Sequence, residues 1–431
     1  MAPYLLSLKD PRNRSADYFM KYVEHFNSLY YKFQRVDDYE NFERFQSFLD
    51  IYGTDENETY YDILRTVKKL TPKCSDLIAK CFLNGKEIEC FAENAFQEGL
   101  TMYGPCCIFN SRDSYRQRNS TFRLITSELG LTVLLNSSHD DDVVSLLNMD
   151  AYVVIIHNPN DFPDIISGSA IEVFPMNNEE SFIAIRAKFM DTGEELRTFD
   201  PSYRRCYFND ESPDPDLLLR NTYTFSNCIT RCRIRSIGAL CSCVPFYMPI
   251  EYMEKVGKPY CSLHHVACMN RYNFKWRNVL TKRISILGLE REVEEALYCP
   301  QCLPSCDDTQ YDISMMSLPT DRLVIPNNVG DDFNLKLEDL SVLRVYFGEP
   351  TALYYKRVIS NTWEEAFSTV GNIVSIFLGF SMVAVFEILF FVIKYLFMAV
   401  KMFISNSNHH SHLLNNGKRE KTKSTKLYIL P

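Results

Sequence analysis

The stretch "SIFLGFSMVAVFEILFFVIKYLF", Ser375 to Phe397, is apolar enough to cross a membrane, yet it carries a carboxylate, Glu387, eight residues after Gly379. At the centre of a lipid-facing helix that charge costs about 2.5–3.5 kcal/mol on insertion scales. Facing a wet axis instead, copies of it would form a negative ring that concentrates cations. The preceding Gly379, Phe380 and Ser381 bring a second chemistry. Small residues let helices approach closely. Glycine also permits local unwinding, which frees carbonyl oxygens to replace a cation's water shell. The acid would lie roughly 12 Å along the axis from the glycine. Competing readings are a carboxylate paired with Lys394 or with another helix, and a Gly-x-Ser at an ordinary packed interface. Lys394 follows Glu387 by two helical turns, so the two share a face but stand too far apart to touch.

The element that must hold these residues is the window from about Val370 to Ile404, whose only charges are Glu387, Lys394 and Lys401. About 20 apolar helical residues cover the ~30 Å hydrocarbon core, so one transmembrane helix is expected. The other residues are ordinary for a chain folding in water, with 46% hydrophobic and 23% charged residues overall. Net charge is −9, but the tail holds Lys418, Arg419, Lys421, Lys423 and Lys426 against the single Glu420. Positive flanks stay in the cytoplasm. The expected organisation is an extracellular domain over 1–365, a membrane helix over 366–400 and a cytoplasmic tail over 401–431.

Fifteen cysteines, all between Cys74 and Cys306, fit an oxidising compartment. Four N-x-S/T glycosylation acceptors, at Asn13, Asn57, Asn119 and Asn136, fall on the proposed outer side. "CITRC" (228–232), "CSC" (241–243) and "CPQCLPSC" (299–306) could be zinc knuckles or disulfides. Only Cys299 and Cys302 have the C-x₂-C spacing, and the topology puts the block outside, so disulfides are favoured. Metal binding by His264 and His265 is disfavoured, and His157 reads as a satisfied sheet histidine rather than a ligand. "MAPYLLSLKDPRNRS" lacks the basic and apolar regions of a signal peptide. With an odd cysteine count, this raises the expectation that a preceding segment is missing.

Phe33, Val36, Tyr39, Phe42, Phe45 and Leu49 form one face of an amphipathic helix over 33–50. A second short helix is expected over 62–70. Alternating and β-branched runs at 130–136, 151–159 and 181–189 predict strands. Residues 278–298 read as a helix with a broken apolar stripe, and 340–358 as a strand bent at Gly348 and Pro350 that leads to Trp363. The acidic pairs Asp140–Asp142, Glu179–Glu180 and Asp307–Asp308 read as solvated surface ahead of proton sensors. No nucleophile–base constellation, phosphate loop or basic nucleic-acid patch occurs, so neither an enzyme nor a nucleic-acid binder is expected, and no cofactor.

"CSCVPFYMP", "CPQCLPSCDDTQYDIS", "YGPCCIFN", "VYFGEPTALYYKR" and "FLGFSMVAVFEILFF" together resemble the degenerin/epithelial sodium channels, over roughly residues 60 to 395. "VVIIHNPNDFP" and "YRRCYF" look most like the insect pickpocket branch. The resemblance implies an α+β, disulfide-rich extracellular domain with an antiparallel palm sheet, β-ball, helical finger, thumb (Cys206–Cys306) and knuckle, then a C-terminal pore helix. It implies a subunit of a trimeric, amiloride-sensitive sodium channel gated from outside. Its partners would be sodium ions, two identical or related subunits and membrane lipid. Gly379, Phe380 and Ser381 match the selectivity filter, Glu387 a pore acidic ring, and Ser368 a gating position where small side chains are needed for closure. The implied disulfides are Cys206–Cys306, Cys228–Cys302, Cys232–Cys299, Cys241–Cys268, Cys243–Cys261 and Cys81–Cys90. Cys74 and Cys107 are extra and are expected to pair. Cys106 matches a cysteine whose family partner follows a first membrane helix. That helix, the first outer strand and the cytoplasmic His-Gly segment have no counterpart here. The alternatives are a non-conducting regulatory subunit and a single-pass receptor or adhesion ectodomain.

Overall fold

A computed structural model describes residues 21–30, 39–53, 61–92, 95–111, 126–136, 150–212, 222–249, 256–319, 340–379 and 381–416. The chain divides into two units, Met1–Val358 and Ile359–Pro431.

In the first unit the amphipathic pattern around residue 45 forms helix α1 (Tyr39–Tyr52), which buries Phe42, Phe45, Gln46 and Leu49. Residues 33–38 of the expected helix lie outside the described residues. Helix α2 (Ile63–Leu70) begins where the Asp62 side chain accepts from the amides of Leu64 and Arg65 at 3.0 and 3.3 Å. That satisfies two donors left without intrahelical partners.

Strands β1 (Ile78–Leu83) and β2 (Lys86–Ile88) form a hairpin. Asn84 and Gly85 both have positive φ, as a two-residue type I′ turn requires. β3 (Phe96–Thr101) and β4 (Gly104–Phe109) form a second hairpin. β5 (Leu131–Asn136), β6 (Val154–His157), β7 (Ala170–Val173) and β8 (Glu179–Thr192) follow. β8 buries Ser181, Ile183, Ile185 and Ala187, every second residue, on one face.

The main sheet has the order β11-β8-β12-β5-β1-β2, with β11 (Asp308–Pro319) and β12 (Leu340–Phe347). β13 (Leu353–Arg357) pairs with residues 188–192 of β8, just beyond the 180–185 stretch taken by β12. The bend expected at Gly348 and Pro350 is thus the step between two strands lying along one neighbour. The sheet is mixed, not wholly antiparallel, because β12 and β13 run parallel to β8. Parallel neighbours need a long crossover, and everything between 193 and 339 intervenes. One sheet face buries Ile78, Leu131, Val133, Leu135, Ile183, Ile185 and Leu343. The other carries the smaller cluster of Leu134, Leu340 and Val342.

Between β8 and β11 lies the cysteine-rich block. Helix α3 (Phe225–Cys241) is capped by Thr224, whose hydroxyl accepts from the Asn227 amide at 3.2 Å. Cys228 and Cys232 stand one turn apart on one helix face. Each reaches a different member of the Cys299/Cys302 turn, giving Cys228–Cys302 and Cys232–Cys299. Below these two rungs sits Cys206–Cys306, and beyond them Cys241–Cys268 and Cys243–Cys261. Helices α4 (Val266–Arg271) and α5 (Asn273–Arg277) pack in the same cluster. Trp276 on α5 is fully buried and donates from Nε1 to Ser236 Oγ at 3.0 Å.

The helix expected over 278–298 does not form. Only α6 (Glu290–Glu295) is helical, while β9 (Val279–Leu280) and β10 (Leu297–Tyr298) pair as short parallel strands. The β-branched Val279, Thr281, Ile284 and Ile286 restrict χ1 in a helix. Gly288 sits at φ 86°, and Leu287 is 97% exposed, so the stripe has no core to face.

The second unit holds helices α7 (Trp363–Leu378) and α8 (Met382–Asn416). A reciprocal capping box starts α7: the Glu365 amide donates to Thr362 Oγ1 at 3.3 Å, and the Thr362 amide donates to Glu365 Oε2 at 3.1 Å. Within α8, Val383–Ile404 are 22 residues of mean hydropathy 2.3, long and apolar enough to cross a membrane.

Candidate functional site

The expected single span is interrupted at the Gly-Phe-Ser step. Gly379 takes the left-handed conformation at φ 62°, ψ 21° and ends α7. Glycine has no Cβ penalty there, whereas other residues do. Ser381 restarts the helix. Its Oγ accepts from the Ala384 amide at 3.2 Å, and its carbonyl accepts from the Val385 amide at 3.2 Å.

An α-helix ends with carbonyls that lack intrahelical partners, at the negative pole of its dipole. Breaking the span at Gly379 therefore sets electron-rich backbone oxygen in the middle of an apolar segment. Such oxygen can coordinate a cation. Glu387 lies on α8 beyond the break and is exposed, as is Ser368 on α7. Phe380 lies outside the described residues.

All fifteen cysteines are described. Besides the five crosslinks of the block, Cys81–Cys90 closes the β1–β2 hairpin and Cys74–Cys107 ties the turn before β1 to β4. Cys106 alone is unpaired; its sulfur lies 3.2 Å from Thr101 Oγ1, and burial pushes the thiol pKa up. Asn136 ends β5, half-buried. Asn13, Asn57 and Asn119 lie outside the described residues.

His157 ends β6 with Nδ1 at 2.8 Å from the Asn158 carbonyl, and burial holds its pKa down. His264 Nε2 stands 3.4 Å from Asp50 Oδ2, and His265 Nδ1 accepts from the Ser262 amide at 3.1 Å. Of the acidic pairs, Glu180 is tied to Arg344 at 2.5 Å. Asp307 Oδ1 accepts from the Thr192 amide at 3.0 Å, and burial raises its carboxyl. Asp308 Oδ1 accepts from the Thr309 amide. Asp140 and Asp142 lie outside the described residues.

Two acids that composition did not single out are the better-buried ones. Asp164 is enclosed with Arg233 of α3. Asp161 has its carboxyl pushed up to about 6, chiefly by burial, with Asp308 adding to the shift and a Thr224 hydrogen bond opposing it. Both stand in "NDFPDI", where flanking proline and phenylalanine were the only hint that the acids face inward.

A model described as "amiloride-sensitive sodium channel" matches residues 5–391. Pickpocket protein 11 of Drosophila melanogaster is 25% identical over 286 residues, covering 66% of this chain and 48% of that protein. Sodium channel protein Nach of Drosophila melanogaster is 24% identical over 347 residues, covering 75% of this chain and 59% of that protein. The bile acid-sensitive ion channel of Rattus norvegicus is 22% identical over 331 residues, covering 75% and 58%. The chain thus spans between 48% and 59% of the length of these relatives. With a family match over nearly its whole length, the chain belongs to the amiloride-sensitive sodium channel family.

Proposed function

We propose that the chain is a subunit of a trimeric, amiloride-sensitive, sodium-selective cation channel, gated by an extracellular stimulus. The observation that carries this reading is the left-handed Gly379 between two apolar helices, followed by Glu387. Three copies of the span would line one wet axis. Backbone and side-chain oxygen at Gly379, Phe380 and Ser381 would replace part of the cation's water, and the Glu387 ring would hold cations at high local concentration. Ser368, eleven residues before the glycine, would sit at the outer gate, where a bulky side chain would prevent closure. Residues 1–365 would face outside, with glycans on Asn13, Asn57, Asn119 and Asn136, and 401–431 would face the cytoplasm. The cysteine ladder would make the block between Cys206 and Cys306 a stiff lever.

The test is voltage clamp of cells expressing the chain alone and with other family subunits, in sodium and then potassium. Amiloride-blocked current with sodium preference is expected. Glu387→Lys should abolish it, and thiol reagents should block cysteines placed along Val383–Ile404. Current left untouched by both would overturn the pore reading and favour a regulatory subunit. No current in any combination would favour a single-pass receptor.

A further inference from the structure

At the foot of the cysteine ladder is an open cleft of about 800 Å³. That lies within the roughly 300–1,000 Å³ of small-molecule sites. Tyr207, Pro300 and Leu303 give it an apolar wall. Three crosslinks fix that wall. Cys206–Cys306 adjoins Tyr207, and Pro300 and Leu303 flank the cysteines of the two rungs above. The Tyr223 hydroxyl donates to the Leu303 carbonyl at 2.5 Å and its ring packs edge-on against Tyr207, with centroids 5.0 Å apart. The apolar wall is therefore held in place by covalent crosslinks and by Tyr223.

Its charges are unbalanced. Of two adjacent arginines, Arg204 is consumed internally. Its guanidinium pairs with Glu211 and donates to the carbonyls of Cys206 and Phe199 at 3.0 and 2.8 Å. Arg205 is held at φ 60°, a costly conformation for a residue with a Cβ. It lines the cleft, as does Lys282. Neither side chain has an ion-pair or hydrogen-bond partner among the described residues. Asp200 also lines the cleft, but one of its oxygens is engaged by the Ser202 amide and hydroxyl at 2.8 and 2.5 Å. Among the described residues, Glu211 is neutralised by buried Arg204 behind the cleft, so Arg205 and Lys282 face one unpaired lining acid, Asp200, and a single carboxylate would balance them.

We propose that this cleft binds a small amphipathic monocarboxylate, with its head on Arg205 and Lys282 and its body against Tyr207, Pro300 and Leu303. A planar guanidinium matches a carboxylate fork, and the apolar wall selects against a bare inorganic anion. The inference is independent of the pore reading, because it is tested without current.

The test uses the full chain in lipid nanodiscs and equilibrium binding of radiolabelled decanoate. Saturable binding is expected, displaced by unlabelled decanoate but not by decanol or inorganic phosphate. Arg205→Gln with Lys282→Gln should weaken it by roughly tenfold or more, since each removes a charge-assisted contact. Arg205→Glu with Lys282→Glu should shift preference to decyltrimethylammonium. Tryptophan emission reports whether each variant folds, since buried Trp276 changes environment on unfolding while Trp363 is already 75% exposed. If a variant does not fold, the wild-type comparison still decides. Decanoate bound no tighter than decanol overturns the proposal, as does full displacement by phosphate or unchanged affinity in the folded Gln variant.

Discussion

Arg233 on α3 donates to Asp164 of the loop before β7, and the two side chains are 0% and 1% exposed. Thr230 Oγ1 donates to the same carboxylate oxygen at 3.2 Å. Nearby, Asn227 of α3 donates to the Asn160 carbonyl at 2.9 Å and accepts from the Phe162 amide at 2.9 Å. The loop is thus fastened to the crosslinked helix by buried polar contacts that water cannot replace. Breaking a buried pair from one side strands a charge, at about 3–5 kcal/mol. Arg233→Met or Asp164→Leu should each lower thermal stability steeply. Arg233→Met with Asp164→Leu should recover much of the loss, because neither charge remains. The measurement is thermal unfolding followed by tryptophan emission, in which buried Trp276 is the environment-sensitive emitter. A double variant as unstable as the sum of the singles would mean the two residues act independently.

The crosslink ladder should behave non-additively. Cys228–Cys302 closes 74 residues and Cys232–Cys299 closes 67 of the same stretch. A disulfide acts largely by restricting the unfolded chain, about 2–5 kcal/mol for a native one. While one rung stands, it already restrains much of what the other restrains. Replacing either pair by serine should therefore cost less than the isolated-loop value. Removing both should cost more than the two single losses together. Unfolding midpoints of the three variants under non-reducing conditions check this. Strict additivity would show that the rungs constrain separate segments.

Asp161 should make stability fall as pH rises through the mildly acidic range. Burial is the main cause of its carboxyl's rise to about 6, with Asp308 adding to it and the Thr224 hydroxyl opposing it. Tyr311 faces the same acid and has its own pKa raised, chiefly by burial. In the unfolded chain Asp161 titrates near its ordinary value of about 3.9. Between about pH 4 and 6 the native state therefore holds more protons than the unfolded one, and unfolding free energy declines as pH rises. Above pH 6 the penalty is complete, on the order of 2–3 kcal/mol. Asp161→Asn should be more stable than wild type at pH 7, with the difference shrinking towards pH 4. Equal differences at both pH values would assign the effect to other groups.

Apolar patterning was enough to find α1, α2, β5, β6 and β8; α1 and β8 present one repeated apolar face to a core, while β5 is a short apolar run buried on both faces. The same patterning misled over 278–298, where apolar residues at helical spacing have no core to meet and Leu287 points to water. Cysteine spacing left the partners open, and only the family pattern implied them. In the structure Cys228 and Cys232, one turn apart on α3, meet Cys302 and Cys299 of a C-x₂-C turn, a tertiary meeting that spacing alone does not specify. The inward acids Asp161 and Asp164 were not legible, since burial is a tertiary property and acids usually stay wet. The span read correctly as apolar, but a hydropathy window cannot distinguish a continuous helix from one broken at a single dihedral.

That dihedral gives the most direct test of the break. A Cβ added at Gly379 would meet nothing within 4 Å, so an alanine there is opposed by its left-handed φ of 62° and not by a clash. The dihedral penalty is about 1–2 kcal/mol. A free-energy difference of that size shifts a conformational balance by roughly 5- to 30-fold. Gly379→Ala should favour a continuous helix from α7 into α8, slowing amide exchange over residues 375–385. Ser381→Ala removes the cap at the Ala384 amide, costs about 1 kcal/mol, and should speed exchange at the start of α8. If carbonyl oxygen at the break coordinates the cation, Gly379→Ala should also lower the sodium-over-potassium permeability ratio while current persists. Slowed exchange with an unchanged ratio would leave the break in place as architecture and remove it from ion selection.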